Sequence, residues 1–218
     1  MFKNIEKLKL LGYVPDAILD IGAHHGNWTK SIKCIYPNSK YFLFEGIPYD
    51  QLDIYKNTEN CHVFCELLND RIDEVDWYQE KNTGDSFFRE KSKHFKNTIP
   101  IKRKTTTLDE IVSNNEILQT HENIFIKIDC QGAEISILKG SKKLWSKTNF
   151  VLLEIPLFGQ YNEGVPTFLE HIQFMQNIGF IPYDILESHY INNFNMQIDM
   201  LFINKSHMFN KIVQEKLL

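Results

Sequence analysis

Residues 18–28 read Ile-Leu-Asp-Ile-Gly-Ala-His-His-Gly-Asn-Trp, and the rest of the chain is best interpreted outward from this stretch. An apolar run ends in an acid, two glycines follow, and an amphipathic run begins, which predicts a buried strand, a tight turn and a helix start. Gly22 has no Cβ, so the backbone there can turn sharply or lie close to a ligand. The first helical amides point back at the turn, so the loop favours a polar or anionic part of a ligand.

The residues around the two glycines separate three kinds of ligand loop. A P-loop needs Gly-Lys-Ser/Thr, whereas Gly26 is followed by Asn27 and Trp28, and a dinucleotide loop needs a glycine where His24 stands. Asp20 suits S-adenosylmethionine better than it suits a nucleotide with a pyrophosphate. It can orient the loop or contact the methionine ammonium, and S-adenosylmethionine has no pyrophosphate for the carboxylate to repel. A strand-turn-helix that binds nothing remains the alternative.

Length and composition limit the class of protein. The chain has 218 residues, 43% of them hydrophobic and 24% charged, which predicts one soluble globular domain over residues 1–218. No apolar run approaches the roughly 18 residues that span a bilayer. Residues 1–7 contain no apolar signal core, so we expect a cytoplasmic protein. The net charge of -4 argues against a nucleic-acid partner.

The four cysteines are scattered, at positions 34, 61, 65 and 130, with no C-x-x-C pair. We therefore expect reduced thiols and no metal site.

Apolar runs alternate with helical patterns along most of the chain, which predicts an α/β protein with a mainly parallel sheet. The expected strands cover 17–21, 41–44, 61–67, 124–129, 150–154, 180–186 and 200–203. The segment of about 71–106 interrupts this alternation, and we expect a side hairpin there with strands at 75–78 and 98–101.

Polar residues follow successive strands at the end of the sheet where open α/β folds bind ligands. Glu45 ends the second strand and can accept hydrogen bonds from both ribose hydroxyls of an adenosine ligand. Asn69 follows the third strand and could meet the adenine edge. Asp129 and Glu154 end the fourth and fifth strands. Lys127 lies two residues before Asp129 on the same face, and such a buried lysine needs an acidic partner.

With these motifs in order, the chain resembles the FkbM family of S-adenosylmethionine-dependent methyltransferases over about residues 15–204. His24 replaces the commoner asparagine of that family, and Gly46 stands where a proline usually follows Glu45. The segments that match the family's motifs are 20–26, 44–45, 84–86, 107–109, 127–134 and 138–140.

The resemblance implies a class I methyltransferase fold: a seven-stranded sheet in the order 3-2-1-4-5-7-6, with strand 7 antiparallel and helices on both faces. It also implies methyl transfer, most often to oxygen of sugars or natural products. We predict that Asp129 and Glu154 orient the acceptor or remove its proton, with Lys127 tuning the charge of Asp129. The predicted cofactor contacts are Asp20, Gly22, Ala23, His24, Gly26, Asn27, Glu45, Gly46, Asn69, Ser86 and Asp129.

Three other functions stay open at this stage. N-methylation of an amine or phosphoramidate-type group needs the same fold and cofactor. A catalytically silent binding subunit need not keep the loop of residues 20–26 or the acidic cluster, and both are present. An NAD-dependent oxidoreductase is disfavoured by His24.

The uneven distribution of charge along the chain suggests which kind of molecule accepts the methyl group. Residues 81–104 contain eight Lys or Arg and two acids, a charge of +6 that leaves -10 for the rest of the chain. We expect a lid, with Phe87 and Phe88 available to stack on a ring, that closes over an anionic acceptor such as a phosphate- or nucleotide-linked sugar of a surface polysaccharide. A merely solvated charged loop is the alternative. A homodimer is left open.

Overall fold

Seven strands form one mixed sheet at the centre of the computed structural model, which describes residues 1–93, 95–157, 162–207, 211 and 215. A separate two-stranded hairpin lies between the third and fourth strands of that sheet in the chain. In chain order, the strands are β1 (Ala17–Ile21), β2 (Lys40–Phe44), β3 (Cys61–Phe64), β4 (Glu74–Trp77), β5 (Ile101–Lys104), β6 (Ile124–Ile128), β7 (Thr148–Pro156), β8 (Phe180–Ile191) and β9 (Phe194–Asn204).

The helices are α1 (Phe2–Leu10), α2 (Asn27–Ile35), α3 (Asp53–Lys56), α4 (Leu108–Ser113), α5 (Glu116–Gln119), α6 (Glu134–Lys139) and α7 (Phe168–Asn177). Short 3₁₀ segments, Asp50–Leu52 and Lys142–Lys147, precede α3 and β7. Thr107 caps α4 by accepting a hydrogen bond from the Glu110 amide.

The sheet has the order β3-β2-β1-β6-β7-β9-β8, in which β9 runs antiparallel to both of its neighbours. Counted without the hairpin, this is the predicted order 3-2-1-4-5-7-6 with an antiparallel last strand, so the class I architecture is confirmed. Alternate residues of the buried strands face two cores. Ile18 packs with α1, α2 and α3, whereas Leu19 packs with α4 to α7, so helices cover both faces of the sheet.

Several predicted strand bounds were wrong. β3 ends at Phe64 rather than at residue 67, and β8 continues to Ile191 rather than ending at residue 186. The second hairpin strand covers 101–104 rather than 98–101. Pro100 cannot donate a hydrogen bond to a neighbouring strand, and Tyr78 pairs with Ser86 rather than with residues 98–101. The last strand begins at 194 rather than 200. Asn192 and Asn193 both have positive φ, 49° and 66°, and form the tight two-residue turn that joins β8 and β9.

Within the described part of the chain, no helix has the length and apolar character that crossing a membrane requires.

Candidate active site

A cavity of about 730 Å³ opens at the carboxyl ends of β1, β2, β6 and β7, and its size suits a small-molecule site. The hairpin segment and the β8–β9 turn region supply the rest of the wall. Its described lining residues include Gly22, His24, Glu45, Gly46, Tyr49, Glu66, Leu67, Trp77, Asp85, Phe87, Glu90, Phe95, Asp129, Gln131, Glu154, Ile191, Met196 and Gln197.

The glycine loop is shaped by two close approaches. Gly22 has φ 76°, and a Cβ there would lie 2.0 Å from the Asp129 carbonyl oxygen. Gly26 has φ 75°, and a Cβ there would lie 2.3 Å from the Tyr55 ring. Only glycine fits both positions, so the loop can pack directly against the end of β6 and against α3.

Glu45 holds the loop on the side of β2. One carboxylate oxygen accepts a hydrogen bond from the His24 amide at 2.7 Å, and the other accepts one from the Ile47 amide at 2.9 Å. Burial raises the pKa of Glu45, although these two hydrogen bonds oppose the shift. Each oxygen keeps a further lone pair, so the carboxylate can still accept hydrogen bonds from ribose hydroxyls in the cavity.

Two histidines and a tyrosine pack against each other beside this carboxylate. The His24 and His25 rings stack with centroids 3.7 Å apart, and Tyr49 packs edge-on against both. Burial, with His25 next, lowers the pKa of His24, so this ring is neutral at pH 7. Burial raises the pKa of Tyr49 to about 12.

Lys127 lies beneath the loop and is 6% exposed. Its Nζ donates to the Gly22 carbonyl at 3.1 Å and is 3.2 Å from Asp20 and 3.5 Å from Asp129. Burial alone would lower the pKa of Lys127, but Asp20 and Asp129 outweigh that effect and raise it. The lysine is therefore charged, and it ties β1, β6 and the glycine loop together.

Glu154 forms the far wall of the cavity. The side-chain amides of Gln131 and Gln197 both donate to its Oε2 at 2.9 Å, and Asp199 lies opposite it on β9. Burial first, and then the charge of Asp129, raise the pKa of Glu154 well above its ordinary value. A carboxylate with a raised pKa at the carboxyl ends of the strands can take a proton from a hydroxyl that lies beside it in the cavity.

Glu154, His189 and Asp199 bring three potential metal-ligand atoms within 4.8 Å of one another. His189 Nε2 is 2.8 Å from Asp199 Oδ2, an ordinary hydrogen bond that needs no ion. The sequence assigns no metal ligands and leaves open a divalent metal held by the strand-end acids; activity that survives a chelator would exclude such a metal as an essential cofactor.

The predicted site residues fall into two groups. Gly22, His24, Glu45, Gly46, Asp129 and Glu154 line the cavity, whereas Asp20, Ala23, Gly26, Asn27, Asn69, Ser86 and Lys127 are not among its lining residues.

The second group shapes the wall from behind, and the ligand contacts predicted for it remain predictions. Asp20 accepts from the Thr29 hydroxyl at 2.7 Å, and the Ser86 hydroxyl donates to the Gln131 carbonyl at 3.1 Å. Asn69 is 8% exposed, and its own side chain accepts from the Asp70 amide.

Several lining residues were not predicted as site residues. Trp77 and Phe95 come from the inserted segment, and Ile47 and Leu67 pack with Trp77 in a small apolar cluster at the β2–β3 end. Gln197 reaches the cavity from β9. Gln131 could have been selected, because it lies inside the motif of residues 127–134.

Comparison with known proteins places this site in a family. The family model described as the methyltransferase FkbM domain matches residues 20–182. The chain is 27% identical over 158 residues to the 2-O-methyltransferase NoeI of Sinorhizobium fredii. That alignment covers 64% of this chain and 63% of NoeI, so the chain matches less than two thirds of that relative's length.

Solved structures share the fold at low identity. The FkbM methyltransferase of Methylobacillus flagellatus superposes with a TM-score of 0.53 at 13% identity, covering 85% of this chain and 43% of that one. The 1,6-didemethyltoxoflavin-N1-methyltransferase of Burkholderia thailandensis, solved with S-adenosylhomocysteine, gives 0.51 at 9% identity, covering 91% and 74%. The chain therefore belongs to the FkbM family of methyltransferases.

Proposed function

We propose that this chain is an O-methyltransferase that acts on a hydroxyl of a sugar or sugar-like natural product. The observation that carries the proposal is that one cavity contains both Glu45, beside the glycine loop, and Glu154, a half-buried carboxylate with a raised pKa. The related NoeI is named a 2-O-methyltransferase, which supports oxygen as the methylated atom.

The residues present fit the cofactor. Gly22 lines the cavity where the methionine portion would lie, and Glu45 offers acceptor atoms to the ribose. Leu67 and Trp77, which pack together and line the cavity, give it an apolar surface of the kind that suits the adenine. When bound, S-adenosylmethionine supplies an activated methyl group. Asp129, which faces the cavity beside Gly22, is suited to the methionine ammonium.

The protein's remaining chemical task is to align the acceptor oxygen and to remove its proton. We assign proton removal to Glu154, which Gln131 and Gln197 hold in place. Asp129 helps to orient the acceptor, and Lys127 holds Asp129 and the Gly22 carbonyl in position. The rival N-methylation uses the same cavity, and an acceptor screen separates the two reactions.

We also propose that the protein acts in surface polysaccharide synthesis and that its acceptor is anionic. A cytoplasmic location and a homodimer are further proposals. The basic segment 81–104 supports a phosphate- or nucleotide-linked acceptor, but none of its lysines or arginines is among the cavity-lining residues. We therefore place any phosphate outside the cavity, against the exposed lysines of this segment, with the reacting sugar inside.

Cofactor binding is tested by calorimetry with S-adenosylhomocysteine. We expect wild-type protein to bind it, and Glu45→Ala to weaken binding by about 1.5–3 kcal/mol, the range for a hydrogen bond to a charged group. Glu74→Gln serves as control, because Glu74 is exposed on β4 and does not line the cavity. Absence of binding by the wild type would refute the proposed function.

The role of Glu154 is tested by Glu154→Gln under saturating acceptor. We expect kcat to fall by about 10²–10⁴-fold, the usual contribution of a general base, with unchanged affinity for S-adenosylhomocysteine. Because the pKa of Glu154 is raised, activity should decline as pH falls through a value above 4.5, and Glu154→Gln should lack that decline. Unchanged turnover would show that another group takes the proton.

A further inference from the structure

One acid of the motif at residues 127–134 is buried away from the cavity. Glu134, the first residue of α6, is 1% exposed and is not among the cavity-lining residues. Its Oε1 accepts hydrogen bonds from the Cys130 amide at 2.9 Å and from the Gly132 amide at 3.2 Å. Glu134 therefore holds the loop of residues 130–132, which is part of the connection between β6 and α6.

The other oxygen of Glu134 faces a buried histidine of α7. Within the part of the chain that the structure describes, neither Glu134 Oε2 nor His171 Nε2 has a hydrogen-bond partner, and the two atoms are 3.9 Å apart. His171 is 0% exposed, so both atoms are shielded from bulk solvent. Two such polar atoms cost free energy in a protein interior unless they interact with each other.

The second ring nitrogen of His171 decides how the two side chains can interact. Nδ1 is 2.9 Å from the Thr167 carbonyl, which can only accept a hydrogen bond, so Nδ1 donates. In a neutral imidazole, Nε2 would then carry a lone pair that faces the lone pairs of the Glu134 carboxylate. This contact is repulsive unless one proton lies between Nε2 and Oε2. Imidazolium with carboxylate, or imidazole with carboxylic acid, meets that requirement.

The loop that Glu134 holds carries Gln131 in a conformation that needs support. Gln131 has φ 51°, in the left-handed region that favours glycine, and such a backbone persists only where surrounding contacts fix it. Its carbonyl accepts from the Ser86 hydroxyl at 3.1 Å and from the Asn162 side chain at 3.2 Å. Its side-chain amide donates to Glu154 Oε2 at 2.9 Å. The position of this loop therefore determines one hydrogen bond to Glu154.

We propose that His171 and Glu134 hold one proton between them and act as positioning residues for the reaction. The buried pair keeps residues 130–132 in place, so that the Gln131 amide stays on Glu154. Neither His171 nor Glu134 lines the cavity, so both act through Gln131. The proposal rests on the proposed function, because that function assigns proton removal to Glu154.

The test follows the Gln131 side-chain amide by NMR in the complex with S-adenosylhomocysteine, and Gln131→Ala assigns its signals. His171→Phe leaves the Glu134 carboxylate without its partner, so we expect the Gln131 amide hydrogens to exchange with water about tenfold faster or more. His171→Gln and Glu134→Gln each keep a donor between the two side chains. We expect both conservative variants to stay within about threefold of the wild-type exchange rate.

Met175→Ala is the matched control. Met175 is 0% exposed and lies one turn after His171 in α7, so this change opens a cavity beneath the same helix and keeps both members of the pair. We expect the Gln131 amide to exchange as in the wild type. Exchange as fast as in His171→Phe would indicate a general loosening of α7 and would overturn the proposal.

The proposal is also overturned by unchanged exchange in a folded His171→Phe, or by accelerated exchange in both conservative variants. If His171→Phe does not fold, the ring-nitrogen NMR signals of His171 in the wild type decide. A signal showing that Nε2 neither carries a proton nor accepts a hydrogen bond would overturn the proposal. Failure of the wild type to bind S-adenosylhomocysteine would count against the proposed function alone, because the Gln131 amide can also be followed without it.

Discussion

At the scale of single residues, the most consequential contact is the one between Lys127 and Asp20. Both side chains are buried, 6% and 0% exposed, and Nζ is 3.2 Å from the carboxylate. Removing one partner of such a pair leaves an uncompensated buried charge, so Lys127→Met should lower the free energy of unfolding by about 3–5 kcal/mol. Chemical denaturation measures this change.

The double variant Asp20→Asn with Lys127→Met provides the matched control for that prediction. It removes both charges together, so it should recover part of the stability that Lys127→Met loses. Equal stability of the single and double variants would mean that Asp20 is not the partner that makes the lysine tolerable.

At the scale of elements, the inserted segment has two sides with different roles. We expect Lys81, Lys93, Lys96 and Lys104, changed together to Gln, to raise the Michaelis constant of a nucleotide-linked sugar while leaving that of the free sugar unchanged. The four lysines are exposed and lie outside the cavity lining, so the effect should be collective and should fade with added salt. Steady-state kinetics at two salt concentrations tests this expectation.

A parallel rise for both acceptors would instead indicate that the four changes disturb the cavity itself. Unchanged constants for both would show that the lysines are a solvated face and that the acceptor carries no phosphate there.

The helices and strands also show how much of the fold and of the site sequence patterns can predict. The first and last residues of β1 were predicted correctly, because the apolar run is short and Gly22 ends it. Glu45, Asp129 and Glu154 were placed at strand ends, and all three line the cavity. Gln197 could not be found in this way, since it reaches the cavity through the pairing of β7 with β9, which local periodicity does not encode.

Asn69 shows what the sequence pattern leaves open, and its predicted contact with the cofactor remains a prediction. Its position after β3 is the expected one, yet its backbone amide bonds to Thr106, and the side chain stays outside the cavity lining. A bridge between Leu68 and Thr106 draws the chain away toward the hairpin. The sequence pattern predicted which end of the sheet Asn69 lies at, but the inserted segment determines which side chains at that end line the cavity.

At the scale of the whole molecule, the position of β9 should control whether the sheet forms. This strand lies between β7 and β8 and pairs with both, so a chain that ends after Ile191 would leave β7 with an open edge. We expect that truncated chain to aggregate, and a chain that ends after residue 207 to unfold cooperatively. Light scattering and thermal denaturation distinguish the two outcomes.

The same placement has a consequence during synthesis on the ribosome. The strand that joins β8 to the rest of the sheet is β9, which is made after its neighbours β7 and β8. A nascent chain therefore holds β7, an apolar strand from Thr148 to Pro156, without its second partner until translation has passed Asn204. During that interval the exposed strand edge is open to pairing with other chains, so the yield of native protein should depend on translation speed and on chaperones that shield such edges.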